Sequence, residues 1–278
     1  MDRRTILKGM VVGSALAGSP TILLAAGNHG KQNVIDDSNE VKDYLSKIKN
    51  YNTHFVDDIR LTGNRYQILR SVVLRLRRVR AHVGHGNFSL IGFDRALLFA
   101  RRYSRIGAFT KEEIAFLDEV FYTDAKNYGF LGEKVTTDLT SIIRKKDTHK
   151  VPYSGNYLFR GESINLYSKI SRDIGPSIIL TSGVRGVVKQ MYLFLSKSLR
   201  SKGNLSMASR SLAPPGHSFH GNGDFDVGKK GYGYRNFSED FAYTNEFKRL
   251  EELGYIRIRY HEENPFGVRF EPWHIKLS

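Results

Sequence analysis

The spacing of apolar residues changes along this chain, and that change limits the possible folds more than any other feature. From residue 39 to about 143, apolar residues recur every three or four positions, the period of amphipathic helices. Farther on, residues 176–182 form a short β-branched run, and residues 255–260 alternate apolar and polar side chains. These patterns predict an α+β fold, in which a helical region precedes a small antiparallel sheet.

Several elements can be predicted in more detail. Thr110 and Glu113 form a capping box, so a helix is expected to begin there. Residues 245–253 predict a short helix closed by Gly254, and residues 255–260 and 268–277 predict the two arms of a β-hairpin. Another helix carries one apolar face surrounded by arginines, which is typical of a core helix with a solvated basic face. Its apolar face consists of Ile68, Leu69, Val72, Val73, Leu76 and Val79.

Residues 1–26 have the pattern of an export signal. Arg3 and Arg4 precede an apolar stretch rich in Gly and Ala that reaches about Ala26, and this arrangement resembles twin-arginine signals. Pro20 and two glycines interrupt the stretch, which makes it marginal as a membrane anchor. We therefore expect a periplasmic protein whose signal is followed by a helical region, residues 27–150, and by a second domain, residues 151–278.

Charge and cysteine content exclude several classes of function. The chain has 43 Lys and Arg against 28 Asp and Glu, a net charge of +15, so its basic surface can contact a membrane or an acidic cell wall. No stretch combines aromatic and basic residues as nucleic-acid-binding motifs do, and an exported protein seldom meets nucleic acid, so we expect no nucleic-acid partner. Because the chain has no Cys, any metal must be held by His and carboxylate side chains.

Residue types suited to metal chemistry concentrate in two segments, 214–228 and 271–274. A hydrolytic zinc site needs about three nitrogen or oxygen ligands, an open position for water and a separate carboxylate as general base. His220, Asp226 and His274 can supply the ligands, and Glu271 can supply the base. Pro272 favours an extended backbone at the residue before it, so we expect Glu271 and His274 to project from extended chain.

These residues resemble the M15 zinc peptidases, the VanY-type D-alanyl-D-alanine carboxypeptidases and dipeptidases of peptidoglycan metabolism. The resemblance covers about residues 151–278. The elements that carry it are Ser182-Gly-Val-Arg185 with Gln190, Ser218-x-His220, Phe-Asp226-Val and Glu271-Pro-Trp-His274. It implies that His220, Asp226 and His274 bind Zn²⁺ and that Glu271 is the general base. Arg185 would bind the substrate carboxylate or the developing oxyanion, while Gln190 and Ser218 would orient the substrate.

One departure from the family pattern leaves two ligand assignments open. The family places one residue more between its first His and the Asp than stands between His220 and Asp226, and His217 with Asp224 satisfies the family spacing. We prefer His220 and Asp226 because of the Ser-x-His element and the apolar residues around Asp226. If Asp224 is the ligand instead, Asp226 would orient a ligand histidine.

The resemblance predicts an exported zinc peptidase acting on peptidoglycan stem peptides, with hydrolysis of the terminal D-Ala-D-Ala amide as the expected reaction. The sequence leaves open whether the enzyme trims a terminal D-Ala, splits a free dipeptide or cuts a cross-link. The Gly- and Tyr-rich segment 229–237 is the loop most suited to close the pocket. The alternative function is a catalytically silent module that keeps the metal fold and binds peptidoglycan or another polyanion.

Overall fold

The structure, a computed structural model, describes residues 37–277; the predicted signal at residues 1–26 lies outside this range. The first part of the described chain is helical, as the apolar period predicts. Short 3₁₀ turns follow at Ala125–Tyr128 and Lys145–Asp147. The helices are α1 (Asp37–Lys49), α2 (Gly63–Val83), α3 (His85–Phe88), α4 (Phe93–Arg102) and α5 (Lys111–Tyr122).

The second part contains two small antiparallel sheets and further helices, so the predicted α+β class is confirmed. One sheet pairs β1 with β2, and the other has the order β3-β4-β5. Its strands are antiparallel, with Leu180 opposite Val227 and Asp226 opposite His274. The elements are β1 (Thr148–Lys150), β2 (Tyr157–Phe159), α6 (Glu162–Ile174), β3 (Ile178–Ser182), α7 (Val187–Arg200), α8 (Leu205–Ser209), β4 (Phe225–Lys229), α9 (Asn245–Glu252) and β5 (His274–Ile275).

The capping box predicted at the start of α5 is confirmed. The Thr110 hydroxyl accepts from the Glu113 amide at 3.2 Å, and the Glu113 carboxylate accepts from the Thr110 amide at 2.9 Å. The same carboxylate accepts from Arg75 Nε of α2, also at 2.9 Å, and from the Ser71 hydroxyl. Glu113 therefore caps its own helix and joins it to α2.

Helix α2 is a core helix, as its apolar face predicts. Its buried side chains are Leu69, Val72, Val73, Leu76 and Val79, while Arg70, Arg77, Arg78 and Arg80 are exposed. Its apolar face is therefore used for packing within the protein, and these four arginines face solvent. Within residues 37–277, no helix combines the length and apolar character that crossing a bilayer requires.

The predicted hairpin near the carboxyl terminus is wrong. Residues 255–260 form no strand and meet β5 only through an isolated bridge between Ile258 and Ile275. The Arg259 side chain turns instead to Asp224, with Nε 2.7 Å from the carboxylate, and His274 is already paired with Asp226 of β4. The two segments still run side by side, joined by the amides of Glu271 and Lys276, and β4 pairs with the other edge of β5.

Helix α7 lies between the helical part and the region of the sheet. Val187, Val188, Met191, Phe194 and Leu195 pack in one apolar core with residues of α2, α4 and α5. A separate core forms between the three-stranded sheet, α6 and α9. Because α7 belongs to the first core and follows β3 after only four residues, it connects the helical part to the sheet on which the candidate site is built.

Candidate active site

The three-stranded sheet brings the predicted metal ligands together. Asp226 lies on β4 directly opposite His274, the first residue of β5. His220 lies in a 3₁₀ turn, Phe219–Gly221, shortly before β4. The next residue after β3 is Gly183, where an added Cβ would meet the Tyr157 carbonyl oxygen at 2.0 Å. Only glycine fits this close approach of backbones, and the Gly183 carbonyl contacts the His220 ring.

His220, Asp226 and His274 form a group that can hold a metal ion. One ligand atom from each residue lies within 4.8 Å of the others, and all three residues are buried. Asp226 Oδ1 is 3.2 Å from His220 Nε2 and 3.3 Å from His274 Nδ1. Within the described part of the chain, His220 Nε2 and Asp226 Oδ1 make no hydrogen bond. Buried polar atoms without partners fit a bound cation, and two nitrogens with one carboxylate oxygen suit zinc.

A hydrogen bond outside the metal-binding group fixes the orientation of the His220 ring. His220 Nδ1 is 2.9 Å from the Gly183 carbonyl oxygen, which can only accept, so Nδ1 carries the proton. Burial and the charge of Arg185 together lower the pKa of His220 to about 4, so the ring is neutral with its Nε2 lone pair free. Hydrogen bonds of this kind orient metal-binding imidazoles in other proteins.

His274 is oriented by Asp224, the residue that the sequence left open as an alternative metal ligand. Its Nε2 lies 2.9 Å from Asp224 Oδ2, and Arg259 Nε donates to the same oxygen at 2.7 Å. Burial lowers the pKa of His274, but Asp224 and Asp226 outweigh it and raise the pKa to about 9. Asp224 therefore contacts the side of the His274 ring that points away from the metal-binding group, whereas Asp226 lies beside both imidazole rings.

The alternative ligand His217 lies elsewhere. Its Nδ1 is 3.2 Å from the Gly132 carbonyl and 3.0 Å from the Glu133 carbonyl, and its ring packs edge-on against Phe130. Of the two pairs that the sequence left open, the geometry therefore favours His220 with Asp226.

Glu271 lies next to this group, at the start of a turn that leads into β5. The His274 amide donates to the Glu271 carbonyl at 3.1 Å, so residues 271–274 form a β-turn with Pro272 in its second position, where proline is favoured. The turn brings Glu271 Oε2 to 3.8 Å from His274 Nδ1. Burial raises the pKa of Glu271 to about 7, which suits a group that accepts and returns a proton near neutral pH.

The remaining predicted site residues are divided between the cavity wall and the interior. Arg185 lines the cavity; its Nη2 donates to Asp226 Oδ2 at 2.5 Å and its Nε to the Ser182 hydroxyl at 3.1 Å. Ser218 also lines the cavity. Gln190 does not line it: its side chain is buried, and its amide nitrogen donates to the Ala213 carbonyl. Gln190 thus holds the backbone of a cavity-lining residue and does not face a substrate.

A cavity of about 430 Å³ contains the metal-binding group, Glu271, Arg185 and Ser218. Phe237, in the loop predicted to close the pocket, and the buried Trp273 line it as well. Sequence reasoning missed a further set of lining residues, because no motif contains them and the spacing of the three on α7 does not show which face turns toward the cavity. This set consists of Lys189, Lys197, Arg200, Tyr260, Arg269 and the exposed His85.

Comparisons with known proteins agree with this geometry. Residues 163–277 match the family model of VanY, described as D-alanyl-D-alanine carboxypeptidase. A solved structure that matches is a variant of the vancomycin-resistance D,D-pentapeptidase VanY from a VanB-type resistance cassette, in complex with Zn(II). It is 25% identical, and the match covers 47% of this chain and 77% of that chain with a TM-score of 0.37. No curated protein matches the chain.

The matched segment contains every residue of the metal-binding group together with Glu271, Arg185 and Ser218. The resemblance expected from the motifs is thereby confirmed for this part of the chain. Residues 163–277 form a domain of the VanY D-alanyl-D-alanine carboxypeptidase family, the catalytic domain of a zinc metallopeptidase.

Proposed function

We propose that this protein is an exported zinc peptidase that hydrolyses the terminal D-Ala-D-Ala amide of peptidoglycan stem peptides. The observation that carries the proposal is a buried His220–Asp226–His274 group that shares one cavity with the carboxyl group of Glu271. The family match supports the substrate class, and the signal pattern of residues 1–26 supports export to the periplasm, where that substrate lies.

His220 Nε2, Asp226 Oδ1 and His274 Nδ1 would hold the zinc ion, which supplies a Lewis acid and lowers the pKa of water toward ~7. Glu271 accepts the proton of the attacking water and returns it to the leaving amine. Arg185, a planar cation on the cavity wall, suits the terminal carboxylate of the substrate or the negative charge that develops on the carbonyl oxygen. Ser218 helps to orient the peptide.

A catalytically silent binding module is the less favoured function. Such a module needs no proton acceptor, yet Glu271 is held beside the group by a turn and has a pKa raised by burial. A carboxyl group that is costly to bury and lies in a cavity is more typical of catalysis than of simple binding.

The test is hydrolysis of a muropeptide ending in D-Ala-D-Ala by the zinc-loaded protein, with and without a chelator. We expect D-Ala release that the chelator abolishes and added zinc restores. Glu271→Gln should keep zinc and lower kcat by about 10²- to 10⁴-fold, the usual contribution of a general acid–base group. Glu263→Gln, which removes the same charge at an exposed position, is the control. Release that survives the chelator, or no release with zinc, would contradict the proposal.

A further inference from the structure

One stripe of helix α7 forms a wall of the cavity. Lys189, Leu193, Lys197 and Arg200 line it and follow each other at spacings of four, four and three residues, which places them on one helix face. From Lys189 to Arg200 the helix rises by about 16 Å, the length of roughly five residues of extended peptide. The stripe is therefore long enough to contact several residues of a peptide that precede its D-Ala-D-Ala end.

Three cations that line this end of the cavity form no ion pair in the described part of the chain. Lys197 Nζ donates to Asn52 Oδ1, and Arg269 donates to the Tyr51 hydroxyl and the Phe237 carbonyl, none of which is charged. No ion pair involves Lys197, Arg200 or Arg269 within residues 37–277. We call Lys197, Arg200 and Arg269 the cationic wall.

Two buried arginines elsewhere in the described chain are each paired with an acid, whereas in the cationic wall Lys197 and Arg269 are half-buried and Arg200 is exposed, all without an ion pair. Arg210 pairs with Asp58 at 2.7 Å, and Arg259 pairs with Asp224 at the same distance. In the wall, burial together with the charges of Arg269 and Arg200 lowers the pKa of Lys197 to about 8. Like charges gathered without a counter-ion are destabilising unless a ligand brings the opposite charge.

The cavity contains too few acids to supply that charge. Asp226 and Glu271 are its acidic lining residues; Asp226 is already paired with Arg185 and belongs to the metal-binding group. Arg269 Nε is buried without a hydrogen-bond partner in the described chain. A carboxylate on the ligand would neutralise part of the wall.

We propose that the cationic wall binds carboxylates carried by the part of the peptide that precedes D-Ala-D-Ala, so that the enzyme selects acidic peptides of several residues. This inference rests on the proposed function and adds the substrate chemistry that the cavity recognises. Lys197 lies eight residues along α7 from Lys189, about 12 Å of helix rise, whereas a dipeptide spans only about 7 Å. A free dipeptide is therefore too short to extend along the whole stripe.

The test compares two acetylated pentapeptides that both end in D-Ala-D-Ala. One carries Glu at its second and third positions, and the other carries Gln at both. The zinc-loaded protein should hydrolyse the acidic peptide with a kcat/KM at least about tenfold higher, with the difference in KM, because each charged hydrogen bond contributes about a factor of ten. In Lys197→Gln/Arg200→Gln the preference should fall to about twofold or less.

The matched control is Lys126→Gln/Lys248→Gln, which removes the same charge at exposed positions outside the cavity and should keep the preference. Binding of both peptides to the zinc-loaded Glu271→Gln variant, measured by calorimetry, gives the same comparison without turnover. Equal binding of the two peptides, a preference retained by Lys197→Gln/Arg200→Gln, or an equal loss in the control would overturn the inference. Failure of hydrolysis with a preserved binding preference would instead contradict the proposed reaction.

Discussion

At the scale of single residues, Asp224 is the side chain whose role can be separated most clearly from that of its neighbours. It contacts His274 Nε2, the ring nitrogen that points away from the metal-binding group. Asp226 lies instead beside His274 Nδ1, the ring nitrogen that faces the group. Arg259 and the Leu277 amide hold Asp224 in place. Asp224 is therefore expected to support metal binding by orienting His274.

We predict that Asp224→Asn weakens zinc binding by about 10- to 100-fold, the usual effect of removing such a partner, while Asp226→Asn weakens it much more. The measurement is a zinc titration in competition with a chelating dye. Asp118→Asn, an exposed residue of α5, is the control and should bind zinc as the unmodified protein does. If Asp224→Asn proves the more damaging of the two site variants, the ligand assignment must be reversed.

Sequence motifs could predict the residues of the metal-binding group but not the turn that places Glu271 beside them. His220, Asp226, Glu271 and His274 stand in recognisable elements, and the sheet brings them together. Pro272 occupies the second position of this turn, and His274 after it lies on β5, in extended chain as predicted. Gln190 was misplaced because no local pattern shows which face of α7 turns toward the cavity.

At the scale of elements, the contact between α5 and α2 depends on one buried carboxylate. Glu113 is 3% exposed and pairs with Arg75, while it also caps its own helix. Burial raises its pKa, but hydrogen bonds from Arg75, Ser71 and the Thr110 amide outweigh burial, so the net pKa lies below the usual value. The ionised form is thus the one that the folded protein stabilises.

We predict that Glu113→Gln lowers the free energy of unfolding by about 3 kcal/mol at pH 7, because it leaves Arg75 without its partner. A lowered pKa means that this stabilisation is present above the pKa of the unfolded chain and is lost as pH falls through the folded value. Urea unfolding at pH 7 and at pH 3 should therefore show a smaller difference between the two proteins at pH 3. Glu112→Gln, at an exposed position, is the control; a difference independent of pH would contradict the prediction.

Helices were predicted better than strands, and the segments 255–260 and 268–277 show the physical reason. A helix such as α2 is defined by hydrogen bonds within its own residues, and its apolar period is visible in the sequence. The alternation in residues 255–260 is compatible with a strand, but forming one requires a partner from elsewhere in the chain. Here β5 pairs with β4 along one edge, while residues 255–260 meet its other edge only at the bridge between Ile258 and Ile275.

At the scale of the whole described chain, the helical part and the VanY-type domain share an apolar core through α7. The sequence predicted a boundary near residue 150, because composition and period change there. The apolar face of α7, however, packs against α2, α4 and α5, while its polar stripe lines the cavity. A change of pattern marks a change of secondary structure, and only the packing shows which elements depend on one another.

Separating the two parts should therefore unfold the second one. We predict that residues 151–278 alone, with Val187, Val188, Met191, Phe194 and Leu195 no longer covered, lack a cooperative thermal transition and bind zinc poorly. Residues 37–278, prepared in the same way, are the control and should unfold in one transition and bind zinc. Circular dichroism and zinc titration of both fragments make the comparison. A shorter fragment that unfolds cooperatively and binds zinc as tightly as the control would show that the helical part is a separate domain, and that α7 does not need it.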